Sequence, residues 1–194
     1  MTAASTPKGE RRRKALVAAA VELLDEGGFE AVRHRAVAER AGLPLASTTY
    51  YFSSLDDLVR AAVESEGKQE LAAARARLEE LTEQSRSADA VVELMLDVLL
   101  GHGSRGGGAE AVLLRYERLV GSPRRPYLAP LMRELTAEVH DLLAELFSRS
   151  GVEVGRERLL ELIALVDGAV VNALIESDPD PRDAARRMLR AQLS

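Results

Sequence analysis

The sequence predicts an all-α fold of about nine helices, a three-helix N-terminal head followed by a larger helical body. Three observations carry that expectation. Leu, Ala, Arg and Glu dominate a chain of 194 residues that is 46% hydrophobic but only 4% aromatic, and runs rich in β-branched residues are few. Apolar residues recur at three- and four-residue spacing in segment after segment. The groups Gly27-Gly28, Gly42-Leu43-Pro44 and Asp178-Pro179-Asp180-Pro181 fall between those segments and punctuate them.

In chain order, Leu16, Ala19, Ala20, Leu23 and Leu24 place a first helix at about 9–26, after a start expected to be disordered over residues 1–8. Gly27-Gly28 stop it, and Phe29 follows as a core plug. A short second helix covers about 33–41, with Val37, Ala38 and Ala41 inward and Gly42 as its end. Leu43-Pro44 opens a third, because proline suits a first helical position, and it closes at Tyr50 or Tyr51. Ser53-Ser54-Leu55-Asp56 reads as a capping box with Ser53 as the cap of a fourth helix that reaches about Leu81.

Val91, Leu94, Met95, Val98 and Leu99 mark a fifth helix. It ends in the glycine-rich run 101–108, expected to be mobile. A sixth helix covers about 109–120, and Pro123 and Pro126 bracket the turn into a seventh with the stripe Leu128, Leu131, Met132, Leu135, Val139, Leu142, Leu143 and Leu146. The eighth, about 156–176, is apolar on nearly all sides, so it needs cover on all sides, some of it from a second copy of the chain. Asp180 is the expected cap of a last helix from Pro181 to about 192.

Several function classes fall away. Without cysteine there is no disulfide framework, thiolate metal site or cysteine nucleophile, which favours a reducing, cytoplasmic setting. The polar, basic start has no apolar stretch behind its charges, unlike a secretory signal. The most apolar segment carries Glu161, Asp167 and Asn172, which argues against a membrane span. Gly101-His102-Gly103-Ser104-Arg105-Gly106 spells a dinucleotide fingerprint, but that motif requires a preceding strand and here follows a helix. His34, His102 and His140 lack ligand spacing, and no motif places a nucleophile, base and acid together. The expectation is a protein with no catalytic residues, metal or cofactor.

The charge distribution points elsewhere. Residues 1–53 hold eight Lys and Arg against six Asp and Glu, a balance of +2, while the whole chain stands at −5. A basic end on an acidic body presents one face to phosphates. Two short helices joined through Gly42 have the arrangement that sets a second helix in the DNA major groove. Four of the seven aromatics, Phe29, Tyr50, Tyr51 and Phe52, cluster near Ser47, Thr48 and Thr49, whose hydroxyls suit phosphate oxygens and base edges. Arg11, Arg12 and Arg13 lead directly into this head and suit phosphate or minor-groove contact. Phe29 and Phe52 are expected in the core, with Tyr50 facing DNA and Tyr51 packed inward. The expected domains are therefore 1–53, a helix-turn-helix head, and 54–194, a regulatory and dimerisation body.

From Arg11 to Leu58 the sequence resembles the TetR family of bacterial repressors. The resemblance rests on an apolar first helix, Gly28-Phe29, Val37-Ala38-Glu39-Arg40-Ala41-Gly42-Leu43, Tyr50-Tyr51-Phe52 and the acidic start of the fourth helix. It implies a homodimer, joined through the last two helices, that binds a double-stranded DNA operator and answers to a small-molecule effector. The family's DNA contacts fall here on Arg33, His34 and Arg35, and on Leu45, Ala46, Ser47, Thr49, Tyr50 and Tyr51. The pattern departs at Pro44, Ala46, Thr49 and Leu55, where the family usually carries a hydroxyl cap, a glycine, an aromatic and a phosphate-binding lysine. Those departures motivate an alternative: a helical ligand-binding or adaptor protein whose head has lost operator recognition. Met95, Tyr116, Met132 and Asn172 are candidate effector-pocket residues, weighed against plain core packing.

Overall fold

The computed structural model describes residues 6–80, 87–106 and 108–193, apart from the side chain of His102. Among them are nine α-helices and no strand. They are α1 (Pro7–Ala31), α2 (His34–Arg40), α3 (Leu45–Tyr51), α4 (Leu55–Glu79), α5 (Ala88–Leu100), α6 (Gly108–Gly121), α7 (Ala129–Arg149), α8 (Arg156–Ile175) and α9 (Pro181–Leu193). No helix of the described residues is long and apolar enough to cross a membrane.

The chain divides into two compact units, one of residues up to Lys68 with Tyr116–Met132, the other of Gln69–Arg115 with Arg133–Ser194. The first encloses a core of Leu16, Ala20, Leu24, Val37, Phe52, Leu58 and Ala62. Phe29, Tyr51 and, from the distant segment, Tyr127 pack against it. That segment is fastened by charge as well. Arg118 donates to Asp25 at 2.5 Å and pairs with Glu66 at 2.8 Å, while the Arg125 guanidinium stacks 3.9 Å from the Phe29 ring and reaches Glu30 at 3.2 Å.

Helix boundaries follow local chemistry, sometimes a residue away from the expected place. α1 starts at Pro7, two residues early, because the Thr6 hydroxyl accepts from the Gly9 N–H at 3.1 Å and caps it. The first five residues of the expected disordered start lie outside the described residues, but Lys8 is already helical. The stop at Gly27-Gly28 is a break inside the element: Gly28 takes φ +63°, a left-handed conformation that any side chain would strain, and one more turn carries Phe29.

Two caps are corrections. Pro44 precedes α3 as its cap rather than opening it, since its ψ of 143° is extended. At α4 the cap is Ser54, whose hydroxyl accepts from the Asp57 N–H at 3.0 Å, while the Ser53 hydroxyl donates to the Asp57 carboxylate. The expected end of α4 at Leu81 lies outside the described residues.

In the second unit α9 packs along α8 and α5. Asp180 caps α9 by accepting from the Asp183 N–H at 2.9 Å. The polar centre is a buried charge cluster. Asp97 of α5 accepts from Arg105 at 2.7 Å through both oxygens, from Arg182 at 2.8 Å, and from Arg77 of α4. Arg182 also reaches Ser104 at 2.7 Å and Glu93 at 2.8 Å. Within the glycine-rich run expected to be mobile, His102–Arg105 form a 3-10 turn held through Ser104 and Arg105.

α8 is not covered all round. Leu160, Ala164, Gly168, Val171, Asn172 and Ile175 form one exposed stripe, and Met188 of α9 is exposed as well.

Candidate nucleic-acid interface

α2 and α3 are joined by a tight turn whose geometry needs Gly42. Its φ of +63° lets the Gly42 N–H reach the Glu39 carbonyl at 3.1 Å and the Leu43 N–H reach the Ala38 carbonyl at 2.9 Å, satisfying the end of α2. Val37 and Ala38 anchor α2 in the core, and Thr48 anchors α3, fully buried with its hydroxyl donating to the Leu45 carbonyl at 2.8 Å. The opposite side of α3 is thereby turned outward. Leu45, Ala46, Thr49 and Tyr50 are all exposed on it.

The two tyrosines divide as the pattern suggests. Tyr51 packs on the core and Tyr50 is 57% exposed, their rings meeting edge to face at 4.9 Å. A cleft of about 400 Å³ lies between the first turns of α1 and this helix, lined by Thr6, Lys8, Gly9, Arg12, Ala46, Ser47, Tyr50 and Tyr51. Two cations one helical turn apart, two hydroxyls and two phenols therefore converge on one space, a donor set suited to phosphate oxygens.

Not every cation of the head is available. Arg40 is clamped between Glu26 at 2.6 Å and Glu22 at 3.1 Å. The hydrogen bond from Arg40 holds the Glu26 carboxyl below its usual value. Arg13 lies 5.1 Å over the Phe52 ring. Arg33 caps α2 with its side chain turned back to the Glu30 carbonyl at 3.2 Å. Lys8, Arg11, Arg12 and Arg35 are exposed with no ion pair among the described residues. His34 is half-buried at the start of α2, and its Nδ1 has no hydrogen-bond partner among the described residues.

Of the twelve candidate DNA-contacting residues, Arg12, Ala46, Ser47, Tyr50 and Tyr51 share the cleft, while Arg11, Arg35, Leu45 and Thr49 are exposed outside it. Sequence reasoning missed Thr6 and Gly9 as lining groups. The available signal was Thr6-Pro7, a hydroxyl cap before a proline, which starts the helix early enough to form that wall.

The pocket candidates do not converge within one unit. Met95 is fully buried in α5 and Asn172 is exposed on α8, both in the second unit, while Tyr116 and Met132 belong to the first.

Two family profiles match the sequence. "Bacterial regulatory proteins, tetR family" covers residues 16–62, and "Tetracyclin repressor-like, C-terminal domain" covers residues 86–194. Among solved structures, the multidrug binding protein EbrR complexed with imidazole is 28% identical with a TM-score of 0.68, over 100% of this chain and 93% of that one. EbrR complexed with malachite green is 30% identical with a TM-score of 0.64, over 94% and 97% of the two chains. A TetR-family member from Streptomyces coelicolor is 28% identical with a TM-score of 0.63, again over 94% and 97%. No curated protein matches the chain.

Proposed function

The chain belongs to the TetR family of DNA-binding transcription regulators, and on that premise we propose that it is a homodimeric repressor released from a near-palindromic operator by a small molecule. The observation that carries the reading is the cleft beside α3, where Lys8 and Arg12 stand with Ser47 and the exposed Tyr50. The cations and hydroxyls hold backbone phosphates, and α3 enters the major groove. Phosphate contacts fix register and leave sequence to the face of α3.

The dimer is supported by the exposed stripe on α8. Leu160, Val171 and Ile175 are apolar, and Ala164 and Gly168 between them let a second helix come close. A second copy of α8 and α9 gives this face the cover it lacks. Two heads then meet half-sites one helical turn apart, about 34–36 Å. The likeness to EbrR, held with imidazole and with malachite green, supports an effector site. Release requires only that the effector favour a head spacing that DNA does not.

The test is selection of bound duplexes from a random library, followed by titration at several salt concentrations. The expected product is an inverted repeat with half-site centres about 10 base pairs apart, bound with a steep salt dependence. No selected duplex, or salt-independent binding, rejects the regulator and leaves the adaptor.

A further inference from the structure

We propose that α3 reads its half-site through thymine methyl groups, with no guanine- or adenine-specific contact of its own; this rests on the operator-binding reading above. α3 is Leu-Ala-Ser-Thr-Thr-Tyr-Tyr. It contains none of the side chains that pair with bases through two hydrogen bonds: no Arg or Lys for guanine, no Asn or Gln for adenine, no Asp or Glu for cytosine. The groups it turns outward at its start are hydrocarbon. Leu45 is 53% exposed and is followed by the exposed methyl of Ala46.

The hydroxyls near that start are largely occupied. Thr49 donates back to the Ala46 carbonyl at 3.3 Å, so its donor is turned toward the helix. Thr48 is buried and bonded to Leu45, and Ser47 belongs to the cleft with Arg12. The N-terminal residues of a recognition helix are those that meet base edges. Here they offer an isobutyl group and a methyl, and the hydrocarbon feature displayed by a major groove is the C5-methyl of thymine.

Charge selects DNA as the occupant of this apolar face rather than another protein surface. Lys8 and Arg12 line the cleft beside α3, and Arg35 of α2 is exposed, none of the three with an ion pair among the described residues. An apolar strip on a helix with exposed cations beside it suits a groove floor next to a phosphate backbone.

The experiment uses the full chain and the operator selected above. Each thymine of a half-site is replaced in turn by deoxyuridine, which removes the methyl and keeps the base pair, and affinity is read by fluorescence anisotropy. At least one thymine should cost about fourfold on replacement, the value of one buried methyl-sized group. In Leu45→Ala that penalty should fall to near unity, while the slope of affinity against salt stays unchanged. Leu45→Gln, which adds a two-pronged amide, should shift selection toward adenine at the same position. Leu45 is exposed, so both variants should melt with the parent. A half-site core without thymine, deoxyuridine duplexes bound as tightly as the parent, or a penalty that survives Leu45→Ala overturns the proposal while leaving operator binding intact. Failure to bind any duplex overturns both.

Discussion

Arg182 of α9 donates to Asp97 of α5 at 2.8 Å, and both side chains are only 3% exposed. Asp97 also holds Arg105 and Arg77, so one carboxylate fixes groups from α4, the 3-10 turn and α9. Removing it takes a counter-charge from the buried Arg182 and leaves that guanidinium beside the partly exposed Arg77 and Arg105. Asp97→Ala should therefore destabilise the protein by about 3 kcal/mol or more, as losing one partner of a buried pair does. In a chain of this size that is a fall in Tm on the order of 10 °C. Arg149→Ala, which breaks an exposed pair with Glu145, should change stability by less than about 0.5 kcal/mol. A thermal melt compares them, and equal melts would reject the role given to Asp97.

Acid should weaken the same region through Glu93. Burial raises its carboxyl, but hydrogen bonds from Arg186 at 2.5 Å and Arg182 at 2.8 Å outweigh that and lower it to about 2. The folded value thus lies below the unfolded one, near about 4.3. The stabilisation is complete above the unfolded value and is lost as pH falls from there toward the folded one. Urea midpoints measured between about pH 5 and pH 2 should fall, and the fall should be shallower in Glu93→Gln.

Phosphate binding by the cleft has a quantitative signature. Lys8→Ala and Arg12→Ala should each reduce the slope of log affinity against log salt by about 1 on any bound duplex. Arg40→Ala should leave the slope alone, because its charge is already matched by Glu22 and Glu26. Equal slopes for all three variants would remove the cleft from the interface.

Dimerisation is open to a charge placed on the α8 stripe. Val171 and Ile175 are 41% and 74% exposed, so Val171→Glu and Ile175→Glu should leave the helical circular dichroism of the chain unchanged. If a second copy covers this face, each variant should sediment as a monomer and lose at least about tenfold in operator affinity, a change of only 1.4 kcal/mol. A dimer that survives both substitutions locates the interface elsewhere.

Much of the fold was legible because the helices advertise themselves locally. The Leu16 to Leu24 stripe, the glycines at 28 and 42 and the Asp180-Pro181 cap each act within a few residues. Cap register was less legible for the same local reason: Ser53 and Ser54 carry the same hydroxyl, and a proline at 44 fits either side of a helix boundary. The outward residues of α3 came from the family resemblance, whereas Thr48, expected beside Ser47 and Thr49 as a hydroxyl for DNA, is buried and bonded to the Leu45 carbonyl, a position fixed by core packing rather than by local sequence. The Asp97 cluster was not readable, because Arg182 lies 85 residues away and nothing local to either residue marks the pairing.

The segment Tyr116–Met132 shares a compact unit with residues far earlier in the chain, through Arg118 with Asp25 and Arg125 on Phe29. Modularity is limited accordingly. A chimera that grafts the first 68 residues of this chain onto a relative's remainder would separate Phe29 and Asp25 from Arg125 and Arg118. The first unit is therefore encoded in two separated stretches of the sequence, and an exchange that keeps its contacts must carry both.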